Sequence, residues 1–228
     1  MAARKWVITI DGPSGSGKST AARLLAKRLG YLYLDTGSMY RAVALKALRK
    51  GISLKDHQAL GILARCSSIV FRPTPGGWSR LFLDGKEVTR AIRQPRISEE
   101  ASEVATLPVV RRALVLRQQA IGARGGIVAE GRDTGTVVFP KARLKFFLSA
   151  SPEERARRRL EELRRAGNAA TLQQVLRELK RRDLRDRRRR ISPLRPASDA
   201  IRIDNSRLKS TQTLAIIADY VQRSRRKP

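Results

Sequence analysis

The stretch Val7-Ile8-Thr9-Ile10-Asp11-Gly12-Pro13-Ser14-Gly15-Ser16-Gly17-Lys18-Ser19 decides the fold. It opens as an apolar strand pattern and ends as a complete G-x-x-x-x-G-K-S phosphate loop. Thr20 to Leu29 then places Leu and Ala at helical spacing, so strand, loop and helix follow in the order the motif needs. Glycines 12, 15 and 17 let successive backbone N–H groups converge, and the helix opening at Lys18 adds the positive end of its dipole. A polyphosphate is expected along Gly12 to Thr20, with Lys18 bridging its outer phosphates and the Ser19 hydroxyl ligating Mg2+. A ligand-free glycine-rich turn would not require the G-K-S ending. The loop alone does not say where a phosphoryl group goes.

With 228 residues the chain is long enough for one large domain, or for a core carrying an inserted lobe. No apolar run approaches the length of a bilayer span and no signal segment is evident near the N-terminus, so a cytoplasmic protein is expected. Cys66 is the sole cysteine, which excludes an intramolecular disulfide or a cysteine metal cluster within the chain. Its neighbours Ile62-Leu63-Ala64-Arg65 suggest that it packs inside. The formal charge of +29, from 49 Lys and Arg against 20 Asp and Glu, raises nucleic-acid binding as an option. The basic residues thicken at Arg155 to Arg165 and Arg177 to Arg190, two stretches with helically spaced Leu, interleaved acids and no aromatics. Without a stacking platform, no specific nucleic-acid partner is expected, although weak nonspecific RNA binding is compatible with the charge. Most of these arginines read as solvated helix surface.

Beyond the first helix, Tyr31 to Leu34 reads as a second strand, followed by Asp35-Thr36-Gly37-Ser38-Met39-Tyr40-Arg41. At the carboxyl end of a parallel strand this segment would lie beside the phosphate loop if the two strands were neighbours. Helix capping explains Ser38 and is open for Asp35, whereas Arg41 is expected to contact an anion. Ser53 to Leu63 is expected to be helical, with the lone His57 on its surface and without a role. Ser68 to Phe71, Arg80 to Leu83 and Glu87-Val88 change to a strand period, marking a small β insertion. Helical periodicity returns from Ile92, with a start near Ser98, and a longer helix spans Val109 to Ile121. Ile127-Val128-Ala129 runs into Glu130-Gly131-Arg132-Asp133-Thr134-Gly135, where Arg132 and Asp133 suit either a ligand site or a salt-bridged turn. Leu144 to Leu148 is the next strand. Ser151-Pro152-Glu153-Glu154 starts a helix, Thr171 to about Arg188 forms another, Ile201 to Asp204 a last strand, and Ser210 begins a terminal helix with a frayed tail from Arg223. The basic helical pair suits a lid over a phosphate site.

The chain resembles the bacterial cytidylate kinases, nucleoside monophosphate kinases of the phosphate-loop superfamily. The resemblance is carried by Ile10 to Ser19, Asp35 to Arg41, Gly131 to Pro140, and the run Arg182-Asp183 through Asp186, Arg189 and Ser192-Pro193-Leu194. It implies an α/β parallel-sheet phosphate-loop core at 1–66, 108–150 and 191–228, a monophosphate-binding lobe at 67–107 and a helical lid at 151–190. It implies ATP as phosphoryl donor with Mg2+, CMP and dCMP as acceptors, and a monomer. Thr36, Ser102, Arg111 and Asp133 would surround the pyrimidine, Arg41, Arg132 and Arg189 would grip its phosphate, and Arg182 and Asp186 would lie near the ribose. Lys18, Arg132, Asp133 and the lid residues Arg155, Arg159 and Arg165 are the candidates for catalysis. Which lid arginine reaches the transferring group stays open at this point.

Cytosine presents an amino donor beside ring acceptors, so a carboxylate can accept from the amino group while a guanidinium donates to the ring. Uracil reverses both edges. A site built on such hydrogen bonds rejects the mismatch by up to about 10⁴–10⁵. Two alternatives remain at the level of sequence: a small-metabolite kinase such as one acting on shikimate, and an RNA-binding protein with a regulatory nucleotide site. The first gives no reason for the Arg111 and Asp133 pair, and the second predicts tight, steeply salt-dependent RNA binding without kinase activity.

Overall fold

The computed structural model describes residues 5–165 and 167–226. Strands buried on both faces read as near-continuous apolar runs, and two such runs, β1 (Val7–Asp11) and β6 (Ile127–Gly131), lie side by side within the sheet. Between them in sequence come α1 (Lys18–Leu29), β2 (Leu32–Asp35), α2 (Thr36–Arg49), α3 (His57–Cys66), β3 (Ile69–Pro73), β4 (Ser79–Leu83), β5 (Lys86–Glu87), α4 (Pro95–Val104) and α5 (Pro108–Gly122). After β6 follow β7 (Leu144–Ser149), α6 (Pro152–Arg165), α7 (Leu172–Arg188), β8 (Ile201–Asp204) and α8 (Ser210–Arg226). All pairings of the large sheet are parallel, in the order β2-β6-β1-β7-β8. The fold is α/β, with a phosphate-loop core and a separate antiparallel sheet β3-β4-β5.

The registers align the carboxyl ends of the central strands. Asp11 stands beside Gly131 and Phe147, and Asp35 beside Glu130. Loops leaving these strands therefore open on one rim, where α/β proteins collect ligands. One face of the sheet is covered by α1 and α8, with Ile8, Ile10, Leu25, Ile217 and Val221 buried together. On the other face Leu34, Ile127, Ala129, Val138 and Phe139 form a second cluster. The helices α2 to α5 and the small sheet share a further core, while α6 and α7 have a small one of their own around Leu160, Leu163, Val175 and Leu179. Among the described residues, no helix is long and apolar enough to cross a membrane.

Several expectations are corrected. The condition that β1 and β2 be neighbours is not met, because β6 lies between them. The helix expected from Ser53 begins at His57, since the Asp56 side chain accepts from Ala59 N–H at 2.9 Å and sets the N-cap. Helix α4 begins at Pro95, three residues before Ser98, because Pro at the first position needs no N–H partner. Cys66, expected to be packed, is exposed at the end of α3. The terminal helix holds through Arg226 instead of fraying from Arg223, and residues 227–228 lie outside the described residues.

Candidate active site

The phosphate loop leaves β1 and turns into α1, whose N-cap, Gly17, offers no side-chain cap. The first N–H groups of the helix thus have no competing side chain, which suits an anion. Lys18 is buried, donates to the Pro13 carbonyl at 3.1 Å and lies 3.9 Å from the Glu130 carboxylate. Burial, reinforced by Arg132, lowers its ammonium to about 8. Gly15 has a positive φ of 74°, and a Cβ there would meet the Arg155 backbone oxygen at 2.9 Å, so the loop is pressed against the start of α6. From the far side, Asn205 donates to the Ser16 carbonyl at 2.8 Å and closes the loop's underside.

A cavity of about 740 Å³ lies over this loop. Ser14, Gly15, Gly17, Lys18, Ser19 and Thr20 form one end, and Thr36, Arg41, Ser102, Arg111, Arg132, Asp133, Arg182, Asp186 and Arg189 line the rest. Gly12, Pro13 and Ser16 lie off the cavity wall, beneath the loop.

Asp35 is the N-cap of α2, accepting from Ser38 N–H at 3.0 Å, and its other oxygen holds Arg41 at 2.6 Å. Thr36 donates to the Glu130 carbonyl at 2.7 Å, fixing the start of α2 to β6. Arg111, from α5, pairs with Asp133 in a short buried contact and donates to the Ala105 carbonyl at 3.1 Å. Arg132 Nε donates to Asp186 at 2.8 Å across to α7. Burial works to raise the Asp186 carboxyl, yet Arg132, Arg189 and Arg182 outweigh it and hold it below its ordinary value. Burial, and then repulsion by Arg132, lowers the Arg182 guanidinium to about 10.

Several buried donors around this cavity have no protein partner among the described residues: Arg41 Nε, Arg111 Nε, Arg182 Nε, Arg189 Nη2 and Ser102 Oγ. Their residues line the cavity, and so many guanidinium groups around one space suit a ligand rich in acceptors. The same test supports a nucleoside triphosphate at the loop, through the uncapped helix start and the buried Lys18. Among the described residues no cluster of three His, Cys, Asp or Glu side chains is poised for a metal. A magnesium ion would be held there by the Ser19 hydroxyl, which lines the cavity beside Lys18.

Among the expected catalytic residues, Arg155 does not join the others. Arg155 is 3% exposed, pairs with Asp183 at 2.6 Å and donates to the carbonyls of Ala150 at 3.0 Å and Ser14 at 3.1 Å. It does not line the cavity and instead ties α6 to α7 and to the phosphate loop. Arg159 and Arg165 do line the cavity, as does Arg158, to which sequence reasoning gave no role. Arg158 donates to the Asn205 carbonyl at 2.7 Å and to Glu154 at 2.9 Å. Its i, i+4 spacing from Glu154 was the available signal. Glu130 was also missed. It is buried, accepts from the Tyr33 hydroxyl at 2.9 Å and faces Lys18, and an acid ending an otherwise apolar strand was its only mark. Asp11 was quoted within the loop motif without a role; burial raises its carboxyl to about 6 despite the donors from Thr134 and Gly135.

A family model described as Cytidylate kinase matches residues 8–223. A protein of Pelotomaculum thermopropionicum named cytidylate kinase is 51% identical over 219 residues, covering 96% of this chain and 97% of that protein. A Pasteurella multocida protein of the same name is 45% identical over 218 residues, covering 96% of each. The crystal structure of an uncharacterized protein from Eubacterium ventriosum is similar in fold alone, with a TM-score of 0.51, 13% identity, and coverage of 96% of this chain and 99% of that one.

Proposed function

The chain belongs to the cytidylate kinase family, and from that premise we propose how its residues carry out the reaction, ATP-dependent phosphorylation of CMP and dCMP. It is a nucleoside monophosphate kinase. The carrying observation is that Arg41, Ser102, Arg111, Asp133, Arg182 and Arg189 line one cavity whose other end is the phosphate loop.

On this reading the triphosphate lies along Gly12 to Thr20, with Lys18 on its outer phosphates and Ser19 holding Mg2+. The ion, when bound, supplies charge neutralisation and orientation of the phosphates. The monophosphate is gripped by Arg41, Arg132 and Arg189, whose planar forks suit bidentate binding of phosphate. Asp133 accepts from the cytosine amino group, Arg111 donates to the ring, and Thr36 and Ser102 complete the base pocket. Arg182 and Asp186 lie toward the ribose. The acceptor oxygen of the monophosphate is already ionised, so no protein nucleophile is needed. Catalysis consists of aligning two anions in line and spreading their charge over Lys18, Arg132 and the lid arginines Arg158, Arg159 and Arg165.

Residues 67–107 serve in this scheme as the monophosphate lobe and 151–190 as the lid. The enzyme acts as a cytoplasmic monomer on free nucleotides, with no specific nucleic-acid partner. A coupled assay of ADP release with CMP, dCMP, UMP and AMP tests the base pocket. CMP and dCMP are expected to lead, and equal or greater activity on UMP or AMP would overturn the assignment of Asp133 and Arg111.

A further inference from the structure

We infer that Asp11 is a positioning residue for acceptor recognition: its carboxylate fixes the turn that follows Asp133 and thereby aims Arg132 and Asp133 into the cavity. The inference rests on the reading of Asp133 as a contact to cytosine given above.

Side chains alternate along a strand, so Asp11 shares a face with Val7 and Thr9, opposite Ile8 and Ile10. Ile8 and Ile10 are buried in the cluster with α1 and α8, which turns Asp11 to the other side of the sheet. There one carboxylate oxygen accepts from Thr134 N–H at 2.9 Å and from Thr134 Oγ1 at 2.7 Å, and the other accepts from Gly135 N–H at 2.7 Å. Asp11 is 4% exposed. Burying a carboxylate is costly unless hydrogen bonds compensate, and here all three come from the two residues immediately after Asp133.

Strand and turn approach too closely for any side chain on Gly135, where a Cβ would meet Thr9 Oγ1 at 2.9 Å and Asp11 Oδ2 at 3.3 Å. The turn, Thr134–Val138, is a single π-type turn that closes back on the same place. Val137 and Val138 N–H donate to the Asp133 carbonyl at 2.9 and 3.2 Å, and Phe139 N–H donates to the Thr134 carbonyl at 2.7 Å. Asp133 itself, at φ −145° and ψ 22°, is neither helical nor extended, so its conformation is held by these neighbours rather than by a ladder. From that anchored backbone its side chain meets Arg111 of α5, and the preceding Arg132 reaches Asp186 of α7. Because Asp11 also directly precedes Gly12, one buried acid ties the strand that presents the donor loop to the two residues that read the acceptor.

The test compares Asp11→Asn and Thr134→Val in the full chain, with Asp133→Asn as control. Steady-state kinetics are measured with CMP and UMP at saturating ATP, and with ATP at saturating CMP, alongside thermal melting. Asn keeps one acceptor oxygen but sets an NH₂ against a backbone N–H; Val removes only the hydroxyl bond. For Asp11→Asn, KM for CMP is expected to rise about tenfold and the CMP-over-UMP ratio of kcat/KM to fall about tenfold, with KM for ATP within about twofold. Thr134→Val is expected to move the ratio the same way by about threefold, and it decides the matter alone if Asp11→Asn does not fold. A lower melting temperature with unchanged KM for CMP and unchanged discrimination, or an equal rise in both KM values, would make Asp11 a merely structural acid and overturn the inference. If Asp133→Asn leaves the ratio unchanged, the base-pocket reading fails and takes this inference with it. If Asp133→Asn changes the ratio while neither of the other two variants does, the inference alone fails.

Discussion

Lys18 donates to the Pro13 carbonyl and lies beside Glu130, and burial has brought its ammonium down to about 8. The protonated form is the one that meets phosphate, so the sign is clear: kcat/KM for ATP, which reports the free enzyme, should fall as pH rises through about 8. In kcat the same limb should lie at higher pH, because bound phosphates favour the charged amine. A profile of kcat/KM flat well beyond that range would remove Lys18 from the phosphate contact. Arg111 makes a different prediction. Replacing it with Ala removes the ring donor and leaves the buried Asp133 carboxylate unpaired, so the preference for CMP over UMP should fall by about 10²-fold or more, with KM for ATP little changed. Unchanged discrimination in competition assays would show that the pair does not read the base.

Helices α6 and α7 are joined to each other at their base. Arg155 and Asp183 form a buried pair, their side chains only 3% and 9% exposed, and Arg155 extends that link to the phosphate loop through the Ser14 carbonyl. Removing one partner of such a pair costs about 3–5 kcal/mol, because the other is left buried and uncompensated. The α6 and α7 pair has its own small core around Leu160, Leu163, Val175 and Leu179, so the damage should stay local. Asp183→Ala should speed hydrogen exchange across 152–188 while β1 and β6 keep their protection; uniform protection in both places would contradict this role for Arg155. Sequence placed both helices well, down to Thr171, whose side chain accepts from Gln174 N–H in a capping box. It gave no sign that Arg155 turns inward while Arg158, one helical step on, faces the cavity. Both carry the same long side chain, and only the position of Asp183 on α7 separates them.

Over the whole molecule the charge of +29 exceeds what the nucleotide site uses. That net figure already counts the acids, and exposed pairs such as Arg165 with Glu161 and Arg223 with Asp219 have little effect on stability. Much of the remainder is free to attract polyanions through screened, sequence-independent forces. RNA should therefore associate weakly and be released between about 50 and 200 mM salt, while phosphorylation of CMP continues. Binding that persists at the upper end, measured by fluorescence anisotropy with labelled RNA, would point to a built RNA site instead.

The sequence by itself determined the phosphate loop with its strand and helix, the small β insertion, the basic helical pair and the motifs at Asp35, Arg132 and Arg182. These depend on periodicity, capping and backbone freedom, all of which act within a few residues. Tertiary structure alone decided that β6 lies between β1 and β2, that Arg155 fastens the lid while Arg158 and Arg159 line the cavity, and that Asp11 grips Thr134 and Gly135. A parallel sheet joins strands distant in sequence, and a long side chain bonds to whichever buried partner the packing brings within reach. No local pattern encodes that choice. The same holds for Arg41, Arg111, Arg182 and Arg189, which line one cavity although they come from three elements distant in sequence.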